Sequence, residues 1–145
     1  MAKQPTFVIE QIQAQSQKFD AQLKTYEITE KYQPDAHFEL DVKNRLVGDD
    51  RYEVTLSVVV DVKLKDKVVF NVAVSQAGLF HISGYENERE HILESFCPNI
   101  LHPYAREVIS SLVSKAGYPV FNLPPFDFET RYRQMKQGAE ENKAE

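Results

Sequence analysis

The stretch YEVTLSVVVDVKLKDKVVFNVAVSQAGLFHI, Tyr52 to Ile82, decides the fold. Its first part alternates with a period of two. Tyr52, Val54, Leu56, Val58, Val60 and Val62 fall on one side, and Glu53, Thr55, Ser57, Asp61 and Lys63 on the other. Successive side chains of a strand point to opposite faces, so this pattern predicts a long antiparallel strand with one buried face. Lys65 to Lys67 turns the chain. The return strand sets Val68, Phe70, Val72 and Val74 in one row against Val69, Asn71, Ala73 and Ser75 in the other.

The flanks fill in the rest. HFELDV, from His37, predicts a shorter strand with Phe38, Leu40 and Val42 inward, joined to the long one through the GDD loop at Gly48. There the pair Asp49-Asp50 is a turn signal rather than an acid/base couple. FVIEQIQAQ, from Phe7, reads as a fourth strand, its glutamines suiting a frayed edge. Beyond Gly84 the spacing becomes helical. Pro103 suits a first helical turn and Gly117 a stop, with Tyr104, Ala105, Val108, Ile109, Leu112, Val113 and Ala116 as one broad apolar stripe. The opposite face carries Ser110, Ser111 and Ser114. Such a face is either an ordinary surface or one that lets another layer pack close. FDFETRYRQMKQ, from Phe126, predicts a second helix. Strands first and helices last give an α+β domain, with a four-stranded antiparallel meander or Greek key and helices packed on one face. The domain spans residues 1–137, and residues 138–145 form a flexible acidic tail.

Composition narrows the function. The 145 residues carry a formal charge of −5 and no basic stripe, so nucleic acid is a poor partner. No run is long and apolar enough to insert in a membrane, and no h-region follows Lys3. Cys97 is the single cysteine, which excludes an internal disulfide and suits a reducing cytoplasm.

Catalytic chemistry is thin. Cys97 with His102 or His91 can be imagined as a thiol–imidazole pair, the basis for a rival reading as a small hydrolase or isomerase. No orienting third group accompanies them, and a free cysteine is usually a small buried hydrophobe. His81, His91 and His102 lack paired-ligand spacing, so no metal and no cofactor are expected. What stands out is a surplus of aromatics in non-periodic segments: Tyr118, Phe121, Phe126 and Phe128 in GYPVFNLPPFDF, and Tyr26, Tyr32 and Phe38 in KTYEITEKYQPDAHF. Such residues cover a core or line a groove. A closed pocket for a lipid or small ligand in a monomeric α+β domain is the third reading. Both segments together favour an open groove for extended apolar polypeptide.

CPNILHPYARE, from Cys97, followed by AGYPVFNLPPFDF, from Ala116, resembles the signature of SecB, the bacterial export chaperone family. The resemblance extends through YQPDAHFELDV, GDDRYEV and AVSQAGLFHISG, and covers the chain from Phe7 to about Gln137. It implies a four-stranded antiparallel sheet followed by a long helix, then a Pro-rich loop and a second helix. It also implies a homotetramer built as a dimer of dimers. Two protomers join their sheets, and the long helices are sandwiched between dimers. Members of the family bind non-native precursor polypeptides without ATP, hold them unfolded and deliver them to the SecA motor. The implied client groove comprises Tyr26, Tyr32 (where the family usually has Trp), Phe38, Leu40, Tyr118, Phe121, Leu123, Phe126 and Phe128. The implied assembly residues are Val72, Val74 and Gln76, together with the Ser110, Ser111 and Ser114 face.

The first strand departs from the family. QAQSQKFD stands where the usual pattern is close to Tyr-Val-Lys-Asp-Leu-Ser-Phe-Glu. Ser16 replaces the Asp, and Ala73 stands where a Glu is common. Only Asp20 keeps an acid on the implied SecA-docking surface. Two versions follow: general export through SecA, with docking preserved by Asp20 and the acidic tail, or a chaperone dedicated to one client, such as an antitoxin of a toxin–antitoxin system.

Overall fold

The computed structural model describes residues 4–144; Lys3 and the last residue of the expected tail, Glu145, lie outside them. Four strands, β1 (Thr6–Ala21), β2 (Asp35–Gly48), β3 (Arg51–Leu64) and β4 (Lys67–Ser83), form one antiparallel sheet in the order β1-β4-β3-β2. Strands β2 to β4 are a meander, and β1 lies beside β4, which makes the topology a Greek key. Helical structure follows in Arg89–His91, Ile92–Phe96 and Cys97–Lys115, one continuous run labelled α1, and then in α2 (Phe128–Ala144). The fold is the α+β arrangement expected.

The β3 alternation is realised fully. Tyr52, Val54, Leu56, Val58, Val60 and Val62 are all buried, under the α1 row Cys97, Leu101, Ala105, Ile109 and Val113. That row recurs every four residues, which keeps it on one face of the helix. The turns also follow their sequences. Lys65-Asp66 joins β3 to β4, with Lys65 at φ 59°, and Asp49-Asp50 joins β2 to β3, with Asp50 at φ 55°. Gly117 adopts φ 90°, and the Tyr118 N–H donates to the Val113 carbonyl at 3.3 Å. That six-to-one bond closes the helix as a left-handed glycine cap does.

Three expectations need correction. Strict alternation sets Val68 in one row with Phe70 and Val69 in the other, but the register slips between Val62 and Lys63, and Val69 is buried beside Phe70, at 0 % and 1 % exposure. A bulge puts one extra residue on β4, and the Val69 carbonyl accepts from the Gln22 and Leu23 N–H groups. The helix does not begin at Pro103. It starts at Arg89, and Pro103 lies inside it. A π-turn over Ile92–Phe96, with the Cys97 N–H donating to the Ile92 carbonyl, precedes Pro98. A proline ring collides with the carbonyl four residues back, and a widened turn gives it room. Finally, α2 starts two residues later than expected, at Phe128, and continues past Gly138 to Ala144, so the backbone there is helical rather than an irregular tail.

Bulges also shape β1. Its pairing with β4 shifts at Glu10 and again at Gln15, which keeps Phe7, Ile12 and Phe19 against the core. The sheet face away from α1 is small and polar at its centre, where Ser57 and Ser75 share a hydrogen bond of 3.0 Å.

Candidate functional site

Aromatic side chains meet where the β1–β2 crossover and the loop after α1 return over the sheet. The crossover carries a short 3₁₀ turn, Thr25–Glu27. The two segments are tied together by the Tyr118 hydroxyl, which donates to the Leu23 carbonyl at 2.8 Å. The loop after α1 is also anchored to the helix. Ser110 Oγ donates to the Phe121 carbonyl at 2.9 Å, and His102 Nε2 donates to the Pro124 carbonyl at 3.1 Å. Asp127 caps α2 by accepting from the Thr130 N–H at 3.0 Å. Loops fixed this way hold apolar side chains in place without burying them completely.

The expected groove residues divide by burial. Tyr32, Phe38, Leu40, Phe121 and Phe126 are half-buried and pack against the core, while Tyr26 is 77 % exposed. Tyr118, Leu123 and Phe128 need correction: at 5 %, 1 % and 2 % exposure they belong to the core. The Tyr118 ring packs on Phe70 with centroids 4.9 Å apart, and burial pushes its hydroxyl pKa up. Phe128 sits edge-on to Phe126 and His102.

The assembly residues divide too. Val72 and Val74 lie beneath α1 at 0 % and 1 % exposure, so they do not present a surface to another chain. Gln76 is buried, and its Oε1 has no hydrogen-bond partner among the described residues. Ser110 is occupied by the loop, Ser111 is half-buried and Ser114 is exposed. A different face of α1 is the uncovered one. Ile92, Phe96, Ile100, Tyr104, Val108 and Leu112 recur every four residues beside the core row and are all apolar, with Phe96 52 % and Tyr104 48 % exposed. Sequence reasoning missed its first half because it started the helix at Pro103; the four-residue spacing from Ile92 was the available signal.

A second concavity was also missed. Tyr85, Ile92, Phe96, Phe126 and Phe128 line a pocket of about 600 Å³ beside the first turn of α2, with His91, Ser95 and Glu129 among its polar residues. Phe7, Tyr85, Ile92 and Phe96 continue the apolar surface into a shallower pocket of about 310 Å³.

The thiol pairing finds no support. Cys97 is in the core row, and burial pushes its pKa up to about 12, far from a thiolate at neutral pH. His102 lies about 140° further round the helix and is committed to Pro124. Its pKa is lowered, by burial first and by Arg106 in addition. Among the described residues no group of three or more His, Cys, Asp or Glu could hold a metal, and no helix is long and apolar enough to cross a membrane.

On the opposite face of the sheet, Ser16, Lys18 and Asp20 of β1 sit beside Ser75, Ala73 and Asn71 of β4. Ser16 and Ala73 therefore share the Asp20 face. Lys18 Nζ is 3.7 Å from the Asp20 carboxylate.

The family model described as SecB, preprotein translocase subunit, matches residues 1–139. The chain belongs to the SecB family. It is 39 % identical over 136 residues to the protein-export protein SecB of Methylococcus capsulatus (strain ATCC 33009 / NCIMB 11132 / Bath), covering 93 % of this chain and 88 % of that protein. Its fold is similar to that of the SecB-like chaperone Rv1957 of Mycobacterium tuberculosis, solved in complex with a ChAD peptide from the Rv1956 HigA1 antitoxin. The TM-score is 0.70 at 15 % identity, with 83 % of this chain and 91 % of that one covered. Membership makes this SecB-family chain a chaperone of protein export.

Proposed function

We propose that this SecB-family protein is an ATP-independent holdase that binds non-native polypeptides and keeps them unfolded for delivery to SecA. One observation carries the reading: a rim of half-buried apolar side chains, Phe38 and Leu40 on β2 with Tyr32 in the crossover and Phe121 and Phe126 in the loop after α1, the two loops being fixed by hydrogen bonds. Preformed apolar surface offers generic contact to extended chain without the entropy cost of ordering a loop. Any hydrophobic client segment gains by covering part of it, which suits many clients rather than one. Replacing Phe38 and Phe121 together by Ala is expected to weaken binding of an unfolded precursor. Both rings pack against the core and their loss also lowers the thermal transition, so binding is compared at a temperature where circular dichroism shows the variant folded.

The homotetramer rests on the α1 stripe from Ile92 to Leu112, whose Phe96 and Tyr104 are about half exposed and whose other members are half-buried against the core. Contiguous apolar surface of this kind marks an association site, and packing of helices between dimers would bury it. The cytoplasm is the compartment that fits a precursor chaperone and a single buried thiol.

A second reading, a chaperone dedicated to one client such as an antitoxin, is favoured by the sheet face opposite α1. Ser16 and Ala73 remove two acids there, and Lys18 neutralises the remaining Asp20. Charge complementarity sets encounter rate and partner choice, so this face is a weak SecA dock. Titration with purified SecA at low and high salt separates the two. Salt-sensitive binding that weakens in Asp20→Ala supports export. Absence of binding by a protein that still holds a client supports the dedicated role.

A further inference from the structure

Helix α2 is held to the rest of the chain in an unusual way. Among the described side chains of α2 only the first, Phe128, is buried, with Tyr132 half-buried a turn further on. Beyond Phe128, α2 lies against the start of α1 along a polar seam. Glu129 Oε2 accepts from His91 Nε2 at 2.6 Å and from Ser95 Oγ at 2.8 Å. Arg131 Nη1 donates to Glu94 at 3.2 Å, and Lys136 Nζ to Glu90 at 3.0 Å. The Tyr132 ring stacks on His91 with centroids 4.8 Å apart. The pairs run antiparallel, from Ser95 with Glu129 to Glu90 with Lys136. His91 and Ser95 can both reach Glu129 because they are four residues apart, on one face of α1.

The seam borders the 600 Å³ apolar pocket, and three of its members, His91, Ser95 and Glu129, line that pocket together with Glu88, Asn99 and Asp127. Of the ion pairs, Glu90–Lys136 and His91–Glu129 are about half exposed and so are weak and screened by salt. Glu94–Arg131, at 16 % and 25 % exposure, is screened less, and the buried Phe128 anchor is not screened at all. The two ends of α2 therefore respond differently to the same change. An element held in this way opens locally at a much lower cost than the sheet.

We propose that α2 is an electrostatically latched flap that pivots on Phe128, and that parting of the Glu129, Arg131 and Lys136 seam opens the wall of the apolar pocket beside it. The latch stands independently of client holding; only the purpose of the opening, to enlarge the surface offered to an apolar client segment, rests on that reading. The carboxyl of Glu129 is held below the usual range by its hydrogen bonds from His91 and Ser95, as a latch anion should be.

The test uses the full-length chain, hydrogen exchange followed by mass spectrometry, and an apolar fluorescent dye as the pocket probe. The expected result is that raising salt from about 0.05 to about 0.5 M, which shortens the screening length severalfold, accelerates exchange of the α2 amides from Arg131 to Lys136 at least severalfold. Dye binding rises in parallel, and β3 amides are unchanged. Glu129→Gln and Arg131→Gln produce the same pattern at low salt, and Arg131→Lys restores much of the protection. Exchange in α2 that ignores both salt and variants overturns the latch. So does acceleration shared by β3, which is general loosening, or faster α2 exchange with unchanged dye binding, which opens no pocket. Neither readout involves a client, so a chain that holds no client leaves this test intact and overturns only the function proposed above.

Discussion

Gly78 lies under Leu101 of α1 with no room for a side chain, and Gly78→Ala tests the packing of the helix on the sheet. The Phe80 ring folds back over Gly78. A Cβ at Gly78 would lie 2.6 Å from Phe80 Cε2, 2.9 Å from Phe80 Cζ and 3.0 Å from Leu101 Cδ2. Neither neighbour has room to yield: Phe80 and Leu101 are both at 0 % exposure, and the Phe80 ring is flanked by Phe7 with centroids 5.7 Å apart. Overpacking of this kind costs about 1–3 kcal/mol. An alanine also narrows the unfolded ensemble, which offsets about 0.4–1 kcal/mol. The clash wins, with a net loss of about 1–2 kcal/mol. For a chain of this size that lowers the melting temperature by about 2–8 °C. Thermal unfolding followed by circular dichroism measures it, at matched protomer concentration because assembly would stabilise the folded state. Leu101→Ala alone is expected to cost about 2–5 kcal/mol, and the two substitutions combined less than their sum, since the cavity admits the new methyl. A Gly78→Ala protein as stable as wild type would refute the reasoning, because it would mean that the Phe80 ring swings aside freely.

Other predictions follow from the same geometry. Cys97 is expected to be inert to a thiol reagent at pH 8 in the native state, since it is buried with a pKa near 12, and to react at once in denaturant. Asp127 is held below the usual carboxylate range by the Thr130 N–H and hydroxyl, and Glu129 by His91 and Ser95. Because these folded values are depressed, their stabilisation is complete above the ordinary range near pH 4 and is lost as pH falls through the lowered values. Exchange protection at the start of α2 is therefore expected to fall in acid before that of the sheet. Tyr104→Glu with Phe96→Glu, which puts charge on the exposed stripe, is expected to reduce the assembly to smaller species on sizing while the circular dichroism spectrum is retained.

The fold was largely legible because strand alternation is a local signal with a strict period. Residues 52 to 62 announced their buried face one by one. The failures came where a single residue breaks the period. The extra Val69 in β4 is invisible to a parity rule, since it is the tertiary pairing that decides which residue is skipped. Pro103 reads as a helix start because proline is disfavoured in helix interiors; the π-turn ahead of Pro98 is a backbone accommodation that no residue type spells out. The excess of aromatics over what a small core needs pointed to the segments that carry the proposed groove. Which of them are core was not legible, because Tyr118 and Phe126 are alike in composition and differ only in what folds over them. The polar seam of α2 was hidden for a simpler reason: its partners are about 35 to 45 residues apart in the chain.

The central claim is that this molecule works by holding rather than by chemistry. The most direct measurement is the refolding of a denatured, reduced secretory precursor diluted into buffer with and without this protein, in the absence of any nucleotide. The account predicts that refolding stops when the protein is in molar excess over the precursor, and resumes when an unfolded competitor displaces the bound chain. Refolding at the spontaneous rate despite saturating protein would contradict it.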